Sequence, residues 1–333
     1  MPAIYVTEQG ARLGIDHHRL EVRKDGEVVA EFPMGHVDRV VILGNVGITT
    51  PALRRLMTRG VDLVFMSLGG RYYGRLSGET TPHVALRRAQ YVAQGDAAFA
   101  LALAQRIVAA KIHNQKVLLQ RRRRKGVGGL GEIIDDLTAA EARVGRTQTL
   151  NALRGVEGSA TARYFGGYRA LFEDRWRFTN RNRRPPRDPI NAMLSLGYTL
   201  LTRAAESAVQ AVGLDPYVGF LHSDAYNRPS LALDLVEAMR VVIEDLVCGI
   251  VRAGTVTPDD FRPGEEGELP VVMDRPAVKR FISAYEARMR EARIHPRTGE
   301  RMARWRFLEL QAREVARCIR AGTPDAYPAL RFR

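Results

Sequence analysis

Little in this chain offers covalent or membrane anchoring. Its 333 residues include only two cysteines, Cys248 and Cys318, and neither has a Cys or His neighbour at zinc spacing. Both read as buried small hydrophobes, and the chain is expected in a reducing compartment, most simply the cytoplasm. Long uncharged apolar stretches are missing as well. The best candidate, residues 192–214, is interrupted by Arg203 and Glu206, so no membrane span is expected. The opening Met1-Pro2-Ala3-Ile4-Tyr5-Val6 runs straight into a strand pattern and lacks the layout of a signal peptide. There is no internal repeat and no low-complexity tail. Acidic residues are in short supply, 37 against 51 Lys and Arg, which leaves a net charge of +14. That excess favours an anionic partner, nucleic acid first and an anionic membrane surface second.

What is present divides at about residue 80. The first 80 residues are rich in short alternating or β-branched runs: Ile4-Tyr5-Val6, Arg12 to Ile15, Leu20 to Arg23, Val28 to Phe32, Val40 to Leu43 and Val61 to Phe65. Asp25-Gly26 marks a hairpin turn. Thr50-Pro51 starts a short helix that Gly60 ends. Gly69-Gly70 and the stretch 78–82 are breakers and place a domain boundary there. Helical patterns then cover 83–125, 146–174, 190–213, 230–253, 275–294 and 300–321. The expected class is α+β: a β-rich N-terminal domain (1–80) followed by a larger, mostly α-helical domain (83–333). Two loops stand out, an arginine-rich one at 179–189 and an acidic one at 257–270.

Three separated segments carry acidic groups and an imidazole. Asp234 and Glu237 lie three apart on a predicted helix and share a face. Apolar neighbours bury them, so they need a cation or an arginine such as Arg240 or Arg228. His222 follows an apolar stretch and suits either a hydrogen-bonded core position or a neutral-imidazole ligand. Glu157 is flanked by Gly155 and Gly158, which are unfavourable inside a helix. Close approach of substrate, metal or a crossing helix would explain them. Carboxylates with one imidazole suit Mg2+ or Mn2+ better than structural zinc.

Several medium-length motifs in order give the chain a resemblance. They are Lys111-Ile112-His113-Asn114-Gln115, Gly155-Val156-Glu157-Gly158 with Ala162-Arg163-Tyr164-Phe165, Arg184-Pro185-Pro186 and Asp188 to Ser195. Gly213-Leu214-Asp215-Pro216, Gly219-Phe220-Leu221-His222 and Pro229 to Glu237 follow. Together they resemble the CRISPR-associated integrase of the spacer-adaptation module. The resemblance implies a homodimer assembling with a small ferredoxin-like companion protein, with the N-terminal region serving dimerisation and DNA contact. It also implies a metal held by Glu157, His222 and Glu237, with Asp234 at a further acidic position beside them. The implied activity is metal-dependent strand transfer into a CRISPR array, with double-stranded DNA as both incoming spacer and target repeat.

The cations are expected to hold phosphates. Candidates are Arg163, Tyr164 and the loop residues Arg181, Arg183, Arg184 and Arg187, with Trp176 and Phe178 as stacking groups. The run 121–125 and the arginines around Trp305 also read either as DNA contacts or as a solvated, ion-paired surface. A structure-specific nuclease for branched DNA and a non-catalytic DNA-binding scaffold are the alternatives.

Overall fold

The Asp25-Gly26 turn shows how directly the first strands follow from the sequence. In the computed structural model, which describes residues 3–68, 70, 72–76, 83–182, 185–222, 226–264 and 270–333, both turn residues have positive φ (51° and 89°). That conformation matches the twist of the strands it joins. The N-terminal elements are β1 (Ala3–Val6), β2 (Arg12–Asp16), β3 (Arg19–Lys24), β4 (Glu27–Pro33), β5 (Arg39–Leu43), β6 (Gly47–Ile48), α1 (Thr50–Thr58), β7 (Asp62–Met66) and β8 (Tyr72–Leu76). They form two four-stranded sheets, ordered β4-β3-β2-β6 and β1-β5-β7-β8. In the second, β1, β5 and β7 run parallel and β8 antiparallel.

The strands β5 and β7 are apolar on both faces for a reason. Val40, Ile42 and Leu63 join a core shared with the first sheet. Val41, Leu43, Val64 and Met66 join the core of the helices. A sheet covered on both sides reads as a continuous apolar run. The breakers around residue 70 concealed β8. Gly69 and residues 78–82, where the domain boundary was expected, lie outside the described residues.

The helical region contains α2 (Val84–Gly95), α3 (Ala97–Arg123), α4 (Gly131–Val144), α5 (Leu150–Arg169), α6 (Pro189–Val212), α7 (Ser230–Glu237) and α8 (Arg240–Arg252). The hairpin β9 (Phe261–Pro263) and β10 (Val271–Met273), then α9 (Arg275–Arg290), the hairpin β11 (Ala292–Ile294) and β12 (Arg301–Ala303), and α10 (Trp305–Ala321) complete it. The class is α+β, as expected. Several expected helices are subdivided. The pattern over 83–125 breaks at Asp96, whose carboxylate accepts from the backbone N–H groups of Ala98 and Phe99 and so starts a new helix. The pattern over 230–253 breaks at Ala238, whose carbonyl accepts from the Asn114 side-chain amide at 2.7 Å. The helix α4 lies in a segment for which no helix was expected. Among the described residues, no helix is long and apolar enough to cross a membrane.

The helix α3 runs through the helical core and packs against α4, α5, α7 and α8. It is apolar around most of its girth, yet Lys111, Asn114 and Gln115 are buried on it. These three polar groups mark where the site is built.

Candidate metal centre

Asp234 organises the loop that precedes α7. It is 1% exposed. Its Oδ2 accepts from the backbone N–H groups of Phe220 (2.6 Å) and Leu221 (3.0 Å), and its Oδ1 from that of His222 (3.1 Å). The same Oδ1 lies 2.7 Å from His222 Nδ1. A carboxylate can only accept, so the imidazole proton is on Nδ1 and the lone pair on Nε2. Gly219 is required for this fit, because a Cβ there would stand 2.7 Å from the carbonyl carbon of Ser230 and 2.9 Å from Asp234 Oδ2. The Arg154 guanidinium on α5 donates twice to the Leu221 carbonyl, at 2.9 and 2.7 Å, and ties the loop to the helix that carries Glu157.

Glu237, one turn along α7, is 2% exposed. Its Oε1 lies 2.9 Å from Arg240 Nη2 and 3.8 Å from His222 Nε2. Its Oε2 lies 2.6 Å from Lys111 Nζ, which pairs with it. Burial pushes this carboxyl up, but the Arg240 guanidinium and the Lys111 ammonium outweigh it and hold the group well below the usual carboxylate range. Glu157 faces the same ammonium: Lys111 Nζ donates to its Oε1, which also accepts from Thr161 Oγ1 at 2.9 Å.

One cation therefore joins two carboxylates from α5 and α7, with the His222 Nε2 lone pair beside one of them. The set is hard oxygen donors with one imidazole. These donors fit Mg2+ or Mn2+ once the ammonium is displaced. As drawn by Lys111, they are not closed to ligand spacing: among the described residues, no three His, Cys, Asp or Glu side chains converge tightly enough to hold an ion.

The family of this chain is decided by its sequence as a whole. The model of the family described as CRISPR associated protein Cas1 matches residues 4–287. The chain belongs to the Cas1 family. It is 38% identical over 328 residues to "CRISPR-associated endonuclease Cas1 3" of Thermus thermophilus, covering 98% of this chain and 96% of the relative. Among solved structures it resembles a chain of a "Cas6-RT-Cas1--Cas2 complex" with a TM-score of 0.86 and 25% identity, covering 99% of this chain and 36% of that one. It also shares its fold with a "Casposase bound to integration product", with a TM-score of 0.85, 21% identity and coverage of 99% and 94%.

Within this Cas1-family frame, the expected DNA contacts separate. Tyr164 is fully buried, and its hydroxyl donates to Glu244 at 2.5 Å, so it presents no surface to nucleic acid. Trp176 and Phe178 are buried too, Phe178 among Phe165, Tyr168 and Phe172. They are core, not stacking platforms, because the segment after α5 folds back onto the helices. Arg163 is exposed and pairs with Glu132 and Asp136. Arg181 donates to Asn191 Oδ1 (2.6 Å) and Ser195 Oγ (3.1 Å) and anchors the arginine-rich loop on α6. Arg187 is exposed. Arg183 and Arg184 lie outside the described residues, as does the stretch 265–269 of the acidic loop. In the run 121–125, Arg122 is buried against Asp245 and residues 123–125 are exposed. Near Trp305, Arg304 is buried against Glu291, whereas Arg313 and Arg317 form surface pairs.

Gly155 and Gly158 are exposed, and a Cβ on either would meet nothing within 4 Å. No described helix crosses there, which removes one of the three explanations for the glycines. Sequence reasoning missed the positions of Lys111 and Arg154 in the site. The available signal was the trio Lys111, Asn114 and Gln115, polar groups that the apolar spacing of α3 places on its buried side.

Proposed function

We propose that the chain is a divalent-metal-dependent DNA integrase and endonuclease that inserts new spacers into a CRISPR array. The observation that carries this reading is the meeting of Glu157 and Glu237 on one cation, beside the free lone pair of His222. Family membership supports it, as does the relative named an endonuclease. Glu157, His222 and Glu237 would hold Mg2+ or Mn2+. When bound, the ion supplies a lowered pKa for the attacking hydroxyl and charge neutralisation on the phosphoryl oxygens.

The chain's own residues supply the rest. Asp234 fixes the imidazole tautomer and orientation, so that Nε2 faces Glu237. Arg240 keeps Glu237 ionised despite its burial. Arg154 keeps the His222 loop in register with α5. The nucleophile is the 3′-hydroxyl of incoming double-stranded DNA, and the phosphodiester attacked lies at the repeat boundary. Hydrolytic nicking is the same chemistry with water as nucleophile. A homodimer with a small ferredoxin-like companion is the assembly proposed, with the N-terminal sheets serving dimerisation and DNA contact. The solved assembly titled with both Cas1 and Cas2 supports a companion of this kind.

The test supplies DNA with free 3′ ends and branched DNA in parallel, with Mg2+ or Mn2+, and separates joined from cut products. Joining of free ends into repeat-containing DNA is expected. Cutting of branched DNA with no joined product would overturn the integrase reading in favour of a structure-specific nuclease.

A further inference from the structure

The Lys111 ammonium stands where the metal reading needs an ion. It is 2% exposed, it bridges Glu157 and Glu237, and it carries one charge in a place suited to two. An ammonium and a divalent ion cannot both occupy that point, since each would sit within bonding distance of the same two oxygens. Metal entry therefore requires somewhere for the lysine to go. The structure contains such a place. A cavity of ≈ 10 Å3 adjoins the site, lined by Lys111, Gln115, Thr161, Tyr198, Arg240 and Glu244 among others. That volume is about the space of one water-sized group, which is also the size of an ammonium. One of its lining residues has an unmet acceptor: Gln115 is 1% exposed, and its Oε1 has no hydrogen-bond partner. An orphaned buried acceptor is costly and calls for an explanation. Gln115 is one helical turn from Lys111 on α3, so the same flexible stem can reach it by rotamer change.

We infer that Lys111 is a two-position cation. In the metal-free protein it holds Glu157 and Glu237 together. When a divalent ion binds, the ammonium withdraws into the cavity and donates to Gln115 Oε1. Lys111 thus preserves the two carboxylates in place without metal and sets the affinity with which they take it. This inference rests on the metal reading above.

The test is Mn2+ titration by calorimetry of the full chain and of the variants Lys111→Met, Gln115→Leu, the double variant and Glu157→Gln, with thermal melts of each without metal. Lys111→Met removes the competitor and is expected to bind Mn2+ about tenfold more tightly or better, while its metal-free melting temperature falls. Gln115→Leu leaves the charge unchanged but removes the acceptor for the displaced ammonium, so Mn2+ binding is expected to weaken several-fold. In the double variant the Gln115 effect should vanish, because there is no lysine to receive. Unchanged or weaker binding by Lys111→Met overturns the inference. So does unchanged binding by Gln115→Leu, which does not depend on the lysine variant folding. Absence of Mn2+ binding in the unmodified chain, or binding that survives Glu157→Gln, overturns the metal reading itself and the inference with it.

Discussion

The His222 Nδ1 atom lies 2.7 Å from Asp234 Oδ1, and the same carboxylate receives three consecutive backbone N–H groups from Phe220, Leu221 and His222. One acid thus fixes both the loop and the tautomer of the imidazole it carries. In the proposed site Asp234 would act as a positioning residue, since both of its oxygens are engaged by the loop and the imidazole.

Replacing Asp234 therefore separates two effects. Asp234→Asn retains acceptor capacity for part of the loop but loses the charge that orients the imidazole. Metal affinity should fall about 10–100-fold, as for other partners that orient a metal-binding histidine. Asp234→Ala strands the buried N–H donors of Phe220 and Leu221 and the half-buried one of His222, and should cost about 3–5 kcal/mol of stability. Calorimetric Mn2+ titration and denaturant unfolding measure the two effects independently. A metal affinity unchanged in Asp234→Asn would contradict the orienting role.

Gly219→Ala tests the same loop sterically. Its new Cβ would face the Ser230 backbone and Asp234 Oδ2 at under 3 Å, and backbone cannot move cheaply. The loop must shift and take His222 with it. Mn2+ affinity is expected to drop about tenfold or more with the helical circular dichroism retained. Unaltered affinity would show that the loop has more room than the structure gives it.

Tyr164→Phe distinguishes core from interface. The hydroxyl is buried against Glu244, so its loss should cost about 1–3 kcal/mol of stability. DNA affinity at fixed salt should stay constant. A selective loss of DNA affinity without destabilisation would restore Tyr164 as a contact.

Glu141 provides a pH test away from the metal centre. Burial pushes its carboxyl up, but His113 and Lys116 outweigh burial and bring it from 4.5 down to about 2. Arg331 Nη1 lies 3.1 Å away as a further partner. A depressed folded value stabilises the protein above the unfolded pKa, and that contribution is lost as pH falls from about 4.5 through about 2. Glu141→Gln should lower the melting temperature near neutral pH and flatten its decline across that acid window. Parallel melting curves for the two proteins between pH 5 and pH 2 would contradict the assignment.

The sequence made the site legible in part because its chemistry is unusual for a buried helix. Asp234 and Glu237 sit among leucines, and such acids require partners. The α+β division was legible because strand alternation dominates residues 1–80 and helical periodicity dominates residues 83–333. Partner identity was legible only in part. Arg240, three residues from Glu237, was a foreseeable pair, but Lys111 reaches the site from a helix more than a hundred residues upstream. The break at Ala238 also depends on a distant group, the Asn114 amide, and local periodicity cannot register it. A tyrosine beside Arg163 looks like surface until the helix phase is known, and on α5 Tyr164 is buried in the core while Arg163 is exposed.

Glu157, His222 and Glu237 are proposed to form one metal site for phosphodiester transfer. Its most direct test compares the unmodified chain with His222→Ala, using DNA with a free 3′ end, a repeat-containing target and Mn2+, with DNA binding measured alongside. Joined product from the unmodified chain, none from His222→Ala and equal DNA affinity for both are predicted. Full joining by His222→Ala would contradict the account.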